Sequence, residues 1–153
     1  MLNSAVHNEN YVTRKLSRKG MMTEFKMKVS FLDPNRLKGI QEALNRDAEF
    51  KLAARGMSET IGLKAEGALC LIRISDGVVS DIKLGEAENE TVVFSIDATP
   101  DSWGLLLKKV PPPFYTGIFA GMLRGNLQIL GNLESAFVYL WAMNRIFDIL
   151  RYL

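Results

Sequence analysis

Apolar and polar residues alternate along much of the first two thirds of the chain, which is the pattern of strands that bury one face. Asp76-Gly77 separates two such runs and predicts a tight hairpin, because both residue types tolerate the left-handed backbone of a two-residue turn. Either Val92 or Val93 faces the core of a later strand, depending on its register. The predicted strands are residues 24–31, 50–54, 60–65, 68–74, 78–84, 91–97 and 127–130.

Helical spacing first appears after the run that ends at residue 31. Asp33-Pro34 predicts a helix start, because aspartate caps free backbone N–H groups and proline fits the first turn. Leu37, Ile40 and Leu44 then recur at helical spacing, so one face of this helix is predicted to be buried. The helix is expected to end near residues 45–47.

The spacing becomes helical again after residue 98. The Thr-Pro-Asp-Ser sequence at 99–102 predicts a capped helix start, and the three prolines at 111–113 prevent its continuation. A second short helix is predicted over residues 114–123, and a long final helix over residues 133–150. Gly117, Gly121 and Gly125 recur every four residues without the context of a nucleotide loop, and they indicate close backbone packing.

The order of these elements bounds the architecture. Hairpin-linked strands with helices grouped around them indicate the α+β class rather than alternating βαβ units. The length of 153 residues predicts a single domain. We expect residues 1–22 to be a disordered N-terminal arm and residues 23–153 to form the folded domain.

The net charge of +2 is too small to indicate a nucleic-acid-binding protein, and no nucleic-acid partner is expected. The basic cluster Arg14, Lys15, Arg18 and Lys19 is interpreted as a solvated tail; the alternative is a weak contact with an anionic lipid surface or a nucleic acid. Neither a signal peptide nor a membrane-spanning run is visible, so we expect a cytoplasmic protein with at most transient membrane contact.

The usual groups of catalytic and metal sites are sparse. His7, in the expected arm, is the only histidine, and Cys70, in an apolar run, is the only cysteine and is expected to be buried and inert. No metal, cofactor or catalytic residue is predicted, and the protein is expected not to be an enzyme. Catalysis by carboxylates or by a tyrosine is the least favoured alternative. The residues concerned are Asp97, Asp101, Glu134, Tyr115 and Tyr139.

The last third of the chain holds more apolar residues than one buried helix face can use. Within residues 136–143 they surround the helix completely, and a helix that is apolar on every side needs a cover on every side. The preceding short helices, an apolar ligand or a second copy of the chain could each supply that cover.

Two segments of this region resemble the sterol carrier protein type-two family. The Thr99 to Leu107 sequence resembles the helix that follows the sheet in that family. The run from Gly125 to Asn132 resembles a Gly-Lys-Leu-Lys-Ile-Lys-Gly-Asn-like segment in its glycine frame, in Leu127 and Ile129, and in its closing Gly-Asn. The lysines of the family's segment are replaced, and Arg124 is the nearby basic residue. The replacing residues are Asn126, Gln128 and Leu130.

The resemblance implies a five-stranded, mostly antiparallel sheet that helices cover on one side, with an internal apolar tunnel. It also implies binding, and transfer, of a fatty acid, a fatty acyl-CoA, a sterol-like molecule or another lipid without catalysis. An alternative is a module for homodimerisation or for contact with an enzyme partner through the apolar C-terminal helix. The residues implied as ligand-binding are Trp103, Leu106, Leu107, Phe114, Ile118, Phe119, Met122, Phe137, Leu140 and Trp141.

Overall fold

The computed structural model describes residues 29–86 and 91–153. The expected arm over residues 1–22 and most of the predicted strand over 24–31 lie outside the described residues. Where that strand is described, the prediction is wrong, because Ser30–Leu32 form a turn of 3₁₀-helix. Phe31 is nevertheless buried, as the alternating pattern implied.

Five strands form one sheet: β1 (Thr60–Ala65), β2 (Ala68–Ser75), β3 (Val78–Glu86), β4 (Phe94–Asp97) and β5 (Gln128–Gly131). The spatial order is β3-β2-β1-β4-β5, with β1 in the centre. The β1–β4 pair is parallel and the other three pairs are antiparallel, so the mostly antiparallel sheet is confirmed.

The hairpin between β2 and β3 has the predicted turn. Asp76 and Gly77 both have positive φ angles, 48° and 75°, as a two-residue turn of the kind that matches strand twist requires. A Cβ atom at Gly77 would lie 2.9 Å from the carbonyl oxygen of Ala54, so the turn also packs closely against the preceding segment.

Two helices precede the sheet: α1 (Leu37–Arg46) and α2 (Ala48–Ala53). Helix α1 buries Ile40 and Leu44 as predicted, although it begins one turn after Asp33. The prediction of a strand over residues 50–54 is wrong. Asp47 accepts a 2.7 Å hydrogen bond from the backbone N–H of Phe50 and thereby caps a helix, which buries Phe50 and leaves Leu52 73% exposed.

Two of the remaining helices precede β5 along the chain, and two follow it. They are α3 (Pro100–Leu106), α4 (Ile118–Leu123), α5 (Leu133–Val138) and α6 (Leu140–Tyr152). Thr99 caps α3, as the sequence predicted, and Asn132 caps α5. Helix α4 begins four residues after the predicted start. The predicted long final helix is divided at Tyr139, although the N–H of Met143 still bonds to the Tyr139 carbonyl.

One core lies between the sheet and the helices. Strand β4 contributes Phe94 and Ile96, so neither Val92 nor Val93 faces this core. Trp103 packs edge-to-face on Phe31 and on Phe147, with ring centroids 4.8 and 5.4 Å apart. The buried side chains of α1, α3 and α6 meet those of the sheet in this core, and this layering confirms the predicted α+β class.

Candidate functional site

The ten predicted ligand-binding residues fall into three groups by depth. Trp103, Leu106 and Ile118 are at most 1% exposed and belong to the packed core. The indole N–H of Trp103 donates a 2.7 Å hydrogen bond to the carbonyl of Lys64, which fixes the ring against β1. These three side chains are therefore part of the core between the sheet and the helices.

Three more predicted residues lie at intermediate depth and pack against the core. Leu107 follows the end of α3, Met122 lies on α4, and Leu140 opens α6. Each has part of its side chain turned towards solvent. In depth, they are intermediate between the three core residues and the exposed ones.

The other four predicted residues are exposed. Trp141 is 77% exposed and Phe119 57%, while Phe137 and Phe114 are 44% and 42% exposed. The structure therefore does not gather all ten residues around one interior space. It divides them between the core and the outer face of the helices, and their role in ligand binding stays a prediction.

Four more apolar residues, which the sequence analysis did not select, are also exposed on α4, β5 and α5: Leu123, Leu130, Leu133 and Val138. Leu133, Phe137 and Trp141 are spaced by four residues and form a stripe along α5 and the start of α6. That spacing was readable in the sequence as a second apolar stripe. We call the following set the C-terminal apolar surface: Phe119, Leu123, Leu130, Leu133, Phe137, Val138 and Trp141.

The elements that carry this surface pack against one another. Helix α4 contacts α6, α6 contacts α5, and α5 contacts β5. Helix α4 also packs against the residue just before β5, because a Cβ atom at Gly121 of α4 would lie 2.8 Å from the side chain of Leu127. The four elements that carry these exposed side chains are therefore neighbours in the fold.

One hydrogen bond and one close approach, both to Asn144, hold the start of α4 against α6. The side-chain oxygen of Asn144 accepts a 3.0 Å hydrogen bond from the backbone N–H of Ile118, at the start of α4. A Cβ atom at Gly117 would lie 3.0 Å from the same oxygen. The predicted close packing is thus confirmed at Gly117 and Gly121. Gly125 instead ends the segment with a φ angle of 70°.

The segment between α3 and α4 is fastened by Arg151. This guanidinium is 9% exposed and pairs with Asp148 on the same helix. It also donates hydrogen bonds to the carbonyls of Leu106, Tyr115 and Thr116, at 2.8, 3.2 and 3.1 Å. Both ends of the proline-containing segment are consequently held at one point of α6, while its middle projects outward.

Several of the side chains that the sequence offered as possible reactive groups are buried, lie in the first turn of a helix or bond to the backbone. Cys70 is buried, and burial raises the pKa of its thiol to about 12, which removes the reactive thiolate at neutral pH. Asp101 and Glu134 lie in the first turns of α3 and α5. The hydroxyl of Tyr139 donates to the carbonyl of Gly56. In residues 29–86 and 91–153, no group of three potential metal ligands is found.

An open groove of about 670 Å³ lies where β1 begins and β2 ends. Seven of its ten lining residues are polar or charged, including Glu59 and Arg73, and none belongs to the ten predicted ligand-binding residues. This groove therefore does not correspond to the implied apolar tunnel. Within the described parts of the chain, no helix is both long and apolar enough to cross a membrane.

No protein-family model and no curated protein sequence matches the chain. Solved structures do match it. A crystal structure of sterol carrier protein 2 superposes with a TM-score of 0.63 at 16% identity, over 74% of this chain and 92% of that one. This chain has the sterol carrier protein 2 fold. A solution structure of a hypothetical Thermus thermophilus protein, described as a possible sterol carrier protein, matches with a TM-score of 0.60, again at 16% identity.

The second match covers 74% of this chain and 82% of the Thermus protein. Both solved structures thus share the sterol carrier protein 2 fold with most of this chain, and the resemblance inferred from the α3 and β5 segments is confirmed for the fold. At 16% identity, the two matches show a similar backbone and do not show similar side chains at individual positions. The functional reading of the apolar residues consequently rests on their own geometry.

Proposed function

We propose that the protein binds an apolar ligand reversibly at the C-terminal apolar surface and carries out no reaction on it. Suitable ligands are a fatty acid, a fatty acyl-CoA, a sterol-like molecule or another lipid. The observation that carries the proposal is the exposure of seven large apolar side chains on four elements that pack around one another. The sterol carrier protein 2 fold supports it, since one structure with this fold is named as a sterol carrier.

In this proposal, the tunnel that the resemblance implies has its floor and its approach among the buried and half-buried predicted residues. Trp103, Leu106 and Ile118 supply the apolar floor, and Leu107, Met122 and Leu140 line the approach to it. A ligand that separates α4 from α6 would reach this floor from the exposed surface. Ligands enter such sites because they remove apolar area from water, which contributes roughly 25 cal/mol per Å².

Fluorescence from the two tryptophans provides a direct test. Trp141 is 77% exposed and Trp103 is buried, so an apolar ligand is expected to shift the emission of Trp141 to shorter wavelength. In the Trp141→Phe variant this shift to shorter wavelength should be lost, because the remaining Trp103 is already shielded from water. An unshifted spectrum of the unsubstituted protein at saturating fatty acid would count against the site.

A matched pair of substitutions locates the binding. Phe137→Ser should weaken the binding of a fluorescent fatty acid by about tenfold or more, because a lost aromatic contact is worth about 1.5–3 kcal/mol. Val78→Ser alters a side chain that is 48% exposed on β3, at the edge of the sheet opposite β5, and should leave binding unchanged. Equal effects of the two substitutions would refute the proposed location.

The stripe formed by Leu133, Phe137 and Trp141 also fits a second function, homodimerisation or contact with an enzyme partner. Contiguous exposed apolar patches often mark protein interfaces. Analytical ultracentrifugation of the protein and of its Trp141→Glu variant separates the two functions. A dimer that the substitution dissociates favours the interface, whereas monomers in both samples, together with fatty-acid binding, favour the carrier.

A further inference from the structure

The charges of the C-terminal third are distributed unevenly. Between Asp101 and Glu134 the chain contains three basic residues and no acidic residue. These are Lys108, Lys109 and Arg124, and all three are exposed. This cationic stretch covers the projecting segment after α3, helix α4 and strand β5.

Exposed apolar side chains are interspersed with these cations. Val110 follows the two lysines and is 85% exposed, and Leu123 precedes Arg124 and is 68% exposed. Contiguous exposed apolar patches often mark interaction sites for proteins or membranes. The combination is the composition of protein surfaces that lie in a bilayer interface.

The fold brings these residues together. The carbon atom of the Arg124 guanidinium lies 4.1 Å from the centre of the Phe114 ring, which joins the end of α4 to the projecting segment. The Tyr115 N–H bonds to the Pro112 carbonyl. Lys109 is three residues from Pro112, and a chain advances at most about 3.6 Å per residue. Arg124 therefore lies beside the projecting segment that carries the two lysines. We call the exposed residues concerned the basic apolar rim: Lys108, Lys109, Val110, Phe114, Leu123 and Arg124.

From this rim we infer that the protein docks on the anionic surface of a lipid bilayer through the projecting segment and α4. The inference rests on the proposed function, because the bilayer would be the source or the acceptor of the apolar ligand. The rim borders the C-terminal apolar surface through Leu123, so a docked protein would present its ligand site to the lipid. Arg124 and the lysines would contact phosphate groups while Val110 enters the interface.

The test uses the full chain and sedimentation with vesicles of phosphatidylcholine, with and without phosphatidylglycerol. Binding is expected only to the anionic vesicles and should fall as salt is raised. Lys108→Gln with Lys109→Gln should weaken it about twentyfold, since each cation near such a surface contributes about fivefold. Val110→Asp should also weaken it. The matched controls, Lys38→Gln with Lys51→Gln and Val78→Asp, alter exposed residues of α1, α2 and the far edge strand β3 and should have little effect.

Each other outcome contradicts the inference. Equal losses in the rim and control variants would show a dependence on net charge alone, and equal binding to neutral vesicles would remove the electrostatic argument. Unchanged binding in the rim variants, with loss on replacing Arg14, Lys15, Arg18 and Lys19 by glutamine, would assign docking to the N-terminal cluster. Binding of a fluorescent fatty acid in solution is measured for the same variants. The rim variants should retain it, so failure of docking is distinguished from failure of the proposed function.

Discussion

Single glycines show how much of the packing depends on the absence of a side chain. A Cβ atom added at Gly104 in α3 would have no atom within 4 Å, whereas one added at Gly121 in α4 would lie 2.8 Å from the side chain of Leu127. Both glycines are in helices, and neither has a positive φ angle. Their substitution by alanine therefore differs mainly in the space available.

We expect opposite effects of the two alanine substitutions on the free energy of unfolding. Gly104→Ala should raise it by up to about 1 kcal/mol, because alanine is the better helix former. Gly121→Ala should lower it by about 1–3 kcal/mol, because Leu127 has to move away from α4. Urea denaturation at neutral pH measures both values. Equal stabilisation by the two substitutions would show that α4 is not packed against Leu127 in solution.

Sequence spacing in the C-terminal third indicated which apolar residues share a helix face better than it indicated how deeply they are buried. Trp103 and Leu106 share a helix face and are buried, as the spacing in α3 implied. Phe137 and Trp141 were expected to be covered because the surrounding residues are apolar on all sides, yet both are exposed. Local sequence shows which residues share a face, but it does not show whether another part of the chain covers that face.

At the level of elements, Asp47 links α2 to the final helix. Its carboxylate accepts two hydrogen bonds from Arg145, at 2.9 and 2.7 Å, as well as the capping bond from Phe50. The bond from Arg145 is the main cause that lowers the pKa of Asp47, and desolvation partly opposes it. The strand predicted over residues 50–54 was wrong for this reason, since the cap and the ion pair favour a helix that alternation alone does not reveal.

The lowered pKa of Asp47 predicts a specific pH dependence of stability. A carboxyl group with a folded-state pKa below the unfolded value of about 3.9 stabilises the fold above that pH, and the contribution is lost as the pH falls through the folded-state pKa. Asp47→Asn keeps an N-cap but loses the charge. We expect it to lower the free energy of unfolding by about 1–2 kcal/mol at pH 7, and by less in strong acid.

Urea midpoints at neutral and acid pH test this expectation. Glu42→Gln is the control, because Glu42 and Arg46 form a pair with a 3.8 Å separation on the exposed face of α1. Such pairs contribute about 0–1 kcal/mol, so this variant should follow the unsubstituted protein at every pH. A loss of stability in Asp47→Asn that is independent of pH would contradict an ionic role of Asp47.

At the level of the whole molecule, local signals predicted the hairpin side of the sheet better than the other side. Strands β1, β2 and β3 follow one another with short turns, and their predicted and observed bounds nearly coincide. The parallel β1–β4 pair joins residues more than thirty positions apart, and nothing in their local spacing specifies that pairing. The resemblance to the sterol carrier protein family supplied the five-stranded arrangement that local reasoning could not.

Helix α6 completes the core that this sheet begins. It contacts α1, α2, α4 and α5, and Phe147 packs on Trp103. Its last two turns bury Ile146, Phe147 and Leu150. Removing three such side chains, at about 2–5 kcal/mol each, costs an amount comparable to the total stability of a typical domain, which is about 5–15 kcal/mol. We therefore expect the helix to be required for the fold, apart from any role at the proposed ligand site.

Two truncations test the role of α6. A chain ending at residue 145 should lose cooperative thermal unfolding, because the sheet and Trp103 are left without their apolar cover. A chain ending at residue 151 lacks Tyr152, which is 73% exposed, and Leu153, which is 47% exposed, and should unfold within a few degrees of the full chain. Circular dichroism of both chains gives the comparison. Cooperative unfolding of the shorter chain would mean that the sheet and the earlier helices form a sufficient core, and that α6 serves the apolar surface alone.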